Sequence, residues 1–126
     1  MIRTKMFLKY ARMNLQEAET AIEEKDFSKG KLKCKDCAIS LVKAVREAFP
    51  RKDLNLEPVD LNKLQSLIFD LTDSKDIATK ASELLKQILD EADPKSSSKI
   101  EADKLLSLTR SLFQIIHDIF TPTPPI

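Results

Sequence analysis

Gly30 is the only glycine in a chain of 126 residues, and that scarcity restricts the fold more than any other feature. Two-residue hairpin turns need backbone angles that glycine adopts without steric cost, and sheets of many short strands need many such turns. A chain with one glycine and no tryptophan is steered away from an all-β fold. Glycine-rich phosphate loops, whether of the Walker or the dinucleotide-binding kind, each need several glycines, so ATPase and Rossmann readings fall as well. The 42% of hydrophobic residues suffices for one core, and the length is that of one ordinary domain.

Apolar periodicity supplies the class. Leu8, Ala11, Leu15, Ala18 and Ile22 recur at steps of three and four and predict a helix over residues 4–24. Residues 26–30 break the pattern, after which Cys34, Cys37, Ala38, Leu41, Val45 and Ala48 line a second helix that runs to Phe49-Pro50. Leu61, Leu64, Ile68 and Leu71 predict a shorter third helix, capped by Asp60 and broken at residues 72–74. Ile77, Ala81, Leu84 and Ile88 mark a fourth, which stops before Asp93-Pro94 because the residue ahead of a proline disfavours the helical conformation. Residues 95–98 read as a loop. Ser98 with Glu101 fits a capping box, and a last helix follows to Phe120. The proline-rich residues 121–126 cannot continue it and are expected as a flexible tail after a single domain over residues 1–120. Short connections favour antiparallel neighbours, so the expected fold is all-α, an antiparallel up-and-down bundle of four to five helices.

The first ten residues hold basic side chains but no apolar run of about seven, so no secretory signal is read there. No stretch approaches the roughly 20 apolar residues of a membrane span. Two cysteines make no disulfide framework, and the expected setting is the cytoplasm, without membrane contact.

Lys plus Arg number 21 against 20 Asp plus Glu, so bulk charge attracts neither nucleic acid nor membrane. The distribution is uneven: residues 1–52 hold 13 basic and 7 acidic side chains, residues 53–126 hold 8 and 13. Lys25, Lys29, Lys31, Lys33 and Lys35 gather where the second helix begins, and cations there oppose the helix dipole. Local stability does not account for them. Lys29, Lys31, Lys33 and Lys35 are thus candidates for binding a nucleotide or an acidic partner, beside the alternative of a solvated face.

On the last helix Leu105, Leu108, Leu112, Ile115 and Ile119 form the core stripe, while Leu106, Phe113, Ile116 and Phe120 fall on an adjacent sector. Either the core inside one chain is large, or a second copy covers Leu106, Phe113 and Phe120 as a homodimer interface. Cys34 and Cys37 have the spacing of half a zinc site or a redox pair, but no second pair exists and both lie on an apolar helix face. Asp90, Glu91 and Asp93 offer carboxylates without a further ligand. No metal and no cofactor is therefore expected. A lone histidine leaves no Ser-His-Asp or multi-histidine site within one chain. Arg110 and His117, seven residues apart on one helix face, are the remaining candidate pair, since guanidinium neutralises phosphate and imidazole exchanges protons near neutral pH.

Residues 26–45, preceded by residues 11–19, resemble the HEPN family of prokaryotic helical domains. The likeness is carried by an amphipathic helix, the acidic-aromatic turn Asp26-Phe27, the small residues Cys34, Cys37 and Ala38, and the pair Lys43-Ala44. From Leu54 onward it is thinner. The resemblance implies a four- or five-helix bundle, commonly dimeric, often paired with a small nucleotidyltransferase-like protein in a toxin-antitoxin-like setting, and in some branches a metal-independent ribonuclease. The family's nuclease motif is Arg, four to six residues, then His, which Arg110 and His117 match with six between them. Two functions follow: a homodimeric interaction module that binds a nucleotidyltransferase-like partner or a nucleotide, or a ribonuclease using Arg110 and His117 across a dimer cleft.

Overall fold

A computed structural model describes residues 2–49, 60–92 and 98–121. They form five helices: α1 (Ile2–Glu23), α2 (Phe27–Glu47), α3 (Leu61–Thr72), α4 (Lys75–Glu91) and α5 (Lys99–Phe120). No strand occurs among the described residues. The expected all-α bundle is therefore observed. The connection at 51–58, the loop over 95–97, Asp93 and the tail over 122–126 lie outside the described residues.

Short polar side chains start four of the helices. Asp26 Oδ1 accepts from Lys29 N at 3.2 Å, Asp60 Oδ1 from Lys63 N at 3.0 Å, Ser74 Oγ from Ile77 N at 3.2 Å and Ser98 Oγ from Glu101 N at 3.2 Å. Each satisfies a helix N–H that has no partner within its own helix, an effect of about 1 kcal/mol per cap. The left-handed turn residues are Lys25 (φ 65°) and Asp73 (φ 54°). Behind Lys25, Asp26 N donates to Ala21 O at 2.8 Å and closes the end of α1.

The break expected across residues 26–30 is shorter than the sequence suggested, because α2 begins at Phe27 and contains Gly30. Gly30 serves the packing of α1 on α2. A β-carbon at that position would lie 2.6 Å from Ile22 Cγ1, so only the absent side chain lets the helices approach this closely. The two helices run antiparallel, tied at the far end by Thr4 Oγ1 donating to Ala44 O at 3.2 Å and at the near end by Lys33 Nζ on Glu17 Oε2 at 2.7 Å. Gln65 Nε2 donates to Thr79 Oγ1 at 3.2 Å between α3 and α4, and Lys104 Nζ reaches Glu91 Oε1 at 2.9 Å between α4 and α5.

α5 packs against α1, α2 and α4, and this accounts for its wide apolar arc. Leu106 and Phe113 are 7% and 9% exposed, and Phe120 is half-buried against the same core. The second sector is thus covered by the chain itself, and Leu106, Phe113 and Phe120 do not make the open dimer surface that the sequence allowed. No helix among the described residues is long and apolar enough to cross a membrane.

Candidate functional site

α1 and α5 lie antiparallel in a matched register. Glu19 of α1 accepts from Arg110 Nε at 3.2 Å, and seven residues back along α1 the Arg12 Nη2 atom lies 3.3 Å from His117 Nε2, seven residues on along α5. Guanidinium can only donate, so in this contact His117 Nε2 is the acceptor. Thr121 Oγ1 donates to the His117 carbonyl at 2.7 Å and sits 2.9 and 3.1 Å from the two ring nitrogens. A hydroxyl nearly equidistant from both nitrogens cannot lie along either in-plane direction, so it seats the ring and leaves the tautomer to Arg12. Phe113 supports both partners: its ring stacks on His117 at 5.5 Å between centroids, and Arg12 Cζ stands 5.7 Å from its centroid.

Beside this pair is an open groove of about 330 Å³ lined by Lys5, Leu8, Lys9, Arg12, His117 and Thr121. The floor of the groove is mostly apolar, and three cations with an imidazole stand around it. No carboxylate among the described residues pairs with Lys5 or Lys9. Asp118 Oδ1 lies 3.8 Å from His117 Nδ1, at the limit of an ion pair and available only to a protonated ring. Lys5, Lys9 and Arg12 were not singled out from the sequence, although their spacing of four and three places them on one helix face.

Arg110 and His117 do share a helix, but the structure engages them separately. Arg110 is held by Glu19, with both side chains more than a third exposed, and the guanidinium against the imidazole belongs to Arg12. The lysine cluster disperses. Residues two apart on a helix point about 200° from each other, so Lys29, Lys31, Lys33 and Lys35 cannot form one patch once α2 begins at Phe27. Lys31 is 3% exposed, with its Nζ 3.6 Å from Glu101 Oε2. Lys33 is bonded to Glu17, which raises the lysine pKa and lowers that of the carboxyl. Lys29 lines a shallow groove together with Glu17 and Glu24, while Lys35 faces solvent. A joint anion site built from these four lysines is therefore not present.

Cys34 and Cys37 are free and fully buried on the core face of α2. Burial raises the Cys34 pKa, and it pushes Cys37 up to about 12. No group of three His, Cys, Asp or Glu able to hold a metal ion occurs among the described residues. Glu91, in the acidic end of α4, is bonded to Lys104.

No family model matches this chain, and no curated protein matches it. One solved structure is similar throughout. The crystal structure of TT1696 from Thermus thermophilus aligns with a TM-score of 0.64, covering 94% of this chain and 99% of that chain at 17% sequence identity. At that identity the similarity establishes a shared helical fold.

Proposed function

We propose that this chain is a HEPN-like helical module that binds a phosphate-bearing ligand, a nucleotide or the backbone of RNA, in the groove between α1 and α5. The observation that carries this reading is the convergence of Lys5, Lys9, Arg12 and His117 on an apolar floor. Cations around an apolar surface suit a ligand that is anionic at one end and aromatic at the other. The small nucleotidyltransferase-like partner rests on the sequence resemblance alone. The test is a low-salt titration with a fluorescent adenosine nucleotide and, separately, a short labelled RNA, using wild type and Lys5→Glu/Lys9→Glu. Binding that weakens by about tenfold or more in the double variant, with a shallower salt dependence, supports the reading, and the two ligands distinguish nucleotide from RNA. Equal binding by both proteins overturns it.

A second reading, metal-independent RNA cleavage, is favoured by the Arg12–His117 contact, which supplies a guanidinium beside an imidazole within one chain. In that reading Arg12 neutralises the scissile phosphate and His117 exchanges a proton with the 2′-hydroxyl or the leaving oxygen. Cleavage in EDTA that disappears in both Arg12→Ala and His117→Ala is the expected result.

A further inference from the structure

His117 is the one histidine of the chain, and it lines the α1–α5 groove with a different neighbour at each ring nitrogen. Arg12 Nη2 lies 3.3 Å from Nε2, and Asp118 Oδ1 lies 3.8 Å from Nδ1. The two contacts ask opposite things of the ring. The Arg12 contact needs a nitrogen lone pair, because guanidinium only donates, and a proton added at Nε2 removes that lone pair. The Asp118 contact gains from the same proton, since an imidazolium carries an N–H on both nitrogens and a positive charge that suits a carboxylate. Gln114 Nε2 already holds that Asp118 oxygen, at 2.7 Å. One protonation therefore breaks the contact across the two helices and favours the one along α5.

The groove ties this proton to a ligand. α1 presents Lys5, Lys9 and Arg12 to the same space, and on α5 Asp118 is the carboxylate within ion-pair reach of the ring among the described residues. An anion drawn in by the three cations is a new negative charge beside the imidazole, so the ring takes a proton more readily with the anion than without it. Linkage is reciprocal: a proton that the ligand favours is a proton that tightens the ligand. Arg12 joins in the exchange. Phe113 stacks on His117, so the ring stays seated, while the Arg12 guanidinium, 5.7 Å from the Phe113 centroid, loses its acceptor and stands beside a second cation. Its remaining partner in the groove is the anion.

We propose that the groove takes up its anionic ligand and a proton together: His117 becomes imidazolium as the ligand binds, exchanges Arg12 for Asp118, and releases the guanidinium to the ligand. This rests on the groove reading and adds its regulation, namely that binding tightens in acid.

The probes are a labelled oligouridine and a fluorescent cyclic adenosine monophosphate, because a phosphodiester keeps one negative charge throughout the range in which imidazole titrates. Between about pH 8 and about pH 5.5 the wild-type full chain should bind about tenfold more tightly. His117→Gln retains the response of every other titrating group, and whatever its absolute affinity it should change by less than about twofold over the same range. Arg12→Ala should respond less than wild type, since the ring still charges but frees no guanidinium. Should His117→Gln misfold, the wild type provides a second measurement: at about pH 7 the ring signals of the one histidine, followed by nuclear magnetic resonance, should move toward the imidazolium position as ligand is added. An equal pH response in wild type and His117→Gln, an undiminished response in Arg12→Ala, or a ring signal unmoved at saturation overturns the inference. The groove reading then still stands if Lys5→Glu/Lys9→Glu weakens binding at both pH values. Equal binding by that double variant overturns both.

Discussion

The guanidinium of Arg12 and the imidazole of His117 are in direct contact, 3.3 Å apart, and both rest on the Phe113 ring. Two helices far apart in sequence thus supply a pair that one helix alone does not, since Arg110 is turned to Glu19. The expected consequence is a ranking. Arg12→Ala should weaken nucleotide or RNA binding by about tenfold, equivalent to about 1.4 kcal/mol, whereas Arg110→Ala should change it by less than about twofold. Arg110→Ala should also alter stability by less than about 1 kcal/mol, because an ion pair this exposed contributes little. The same titrations, with urea unfolding alongside, check both statements.

The buried thiols predict a response to alkali. A raised thiol pKa means that the folded chain keeps the neutral form, while the unfolded chain ionises at the ordinary value of about 8.5. The stability this confers is complete below that pH and is lost as pH climbs toward the folded values, which burial raises for Cys34 and pushes up to about 12 for Cys37. The urea midpoint should fall above about pH 9, and the fall should be shallower in Cys37→Ala, whatever that variant's stability at neutral pH. Iodoacetamide at pH 8 should label neither cysteine until the chain is unfolded.

All five helices were legible in the sequence because each shows the three-and-four spacing of apolar residues, and the caps Asp60 and Ser98 were legible from side-chain chemistry and position. The lysine cluster was misread for a geometric reason. Alternate residues look adjacent in a sequence, but on a helix they spread around the cylinder, so placing the start of α2 too late made a patch out of dispersed side chains. The place of Phe113 stayed open in the sequence because an apolar sector does not say whether its own chain or another covers it. Here α1, α2 and α4 surround α5 and bury that sector. The Arg12–His117 contact depends on the register between the first and last helices, which no local pattern encodes.

Lys31 separates structural from ligand-binding lysines. Its side chain is 3% exposed and its ammonium is 3.6 Å from Glu101 Oε2, linking α2 to α5. Lys31→Ala should destabilise the fold by about 1–2 kcal/mol through lost packing of the aliphatic stem, while leaving nucleotide and RNA affinity unchanged. Lys31→Met keeps that stem and removes the buried charge, so its urea midpoint should stay close to wild type or exceed it. A loss of ligand affinity in Lys31→Met at full stability would return this residue to the binding surface.

Gly30 sets two effects of opposite sign against each other. Alanine in a helix interior is favoured over glycine by about 1 kcal/mol, so on propensity alone Gly30→Ala should stabilise α2. The added methyl, however, would stand 2.6 Å from Ile22 Cγ1 and 3.2 Å from Ile22 Cδ1, at the crossing of α1 and α2. Ile22 Cγ1 is close to the backbone and cannot be displaced without moving the whole side chain, which is 8% exposed and set in the core. Overpacking of this kind costs typically about 1–3 kcal/mol, so the net expectation is a destabilisation of about 1 kcal/mol. In an Ile22→Ala background the obstructing atoms are gone and the same substitution should become neutral or stabilising, a coupling measured by a double-mutant cycle in urea. Equal effects of Gly30→Ala in both backgrounds would show that Ile22 does not set the approach of the two helices.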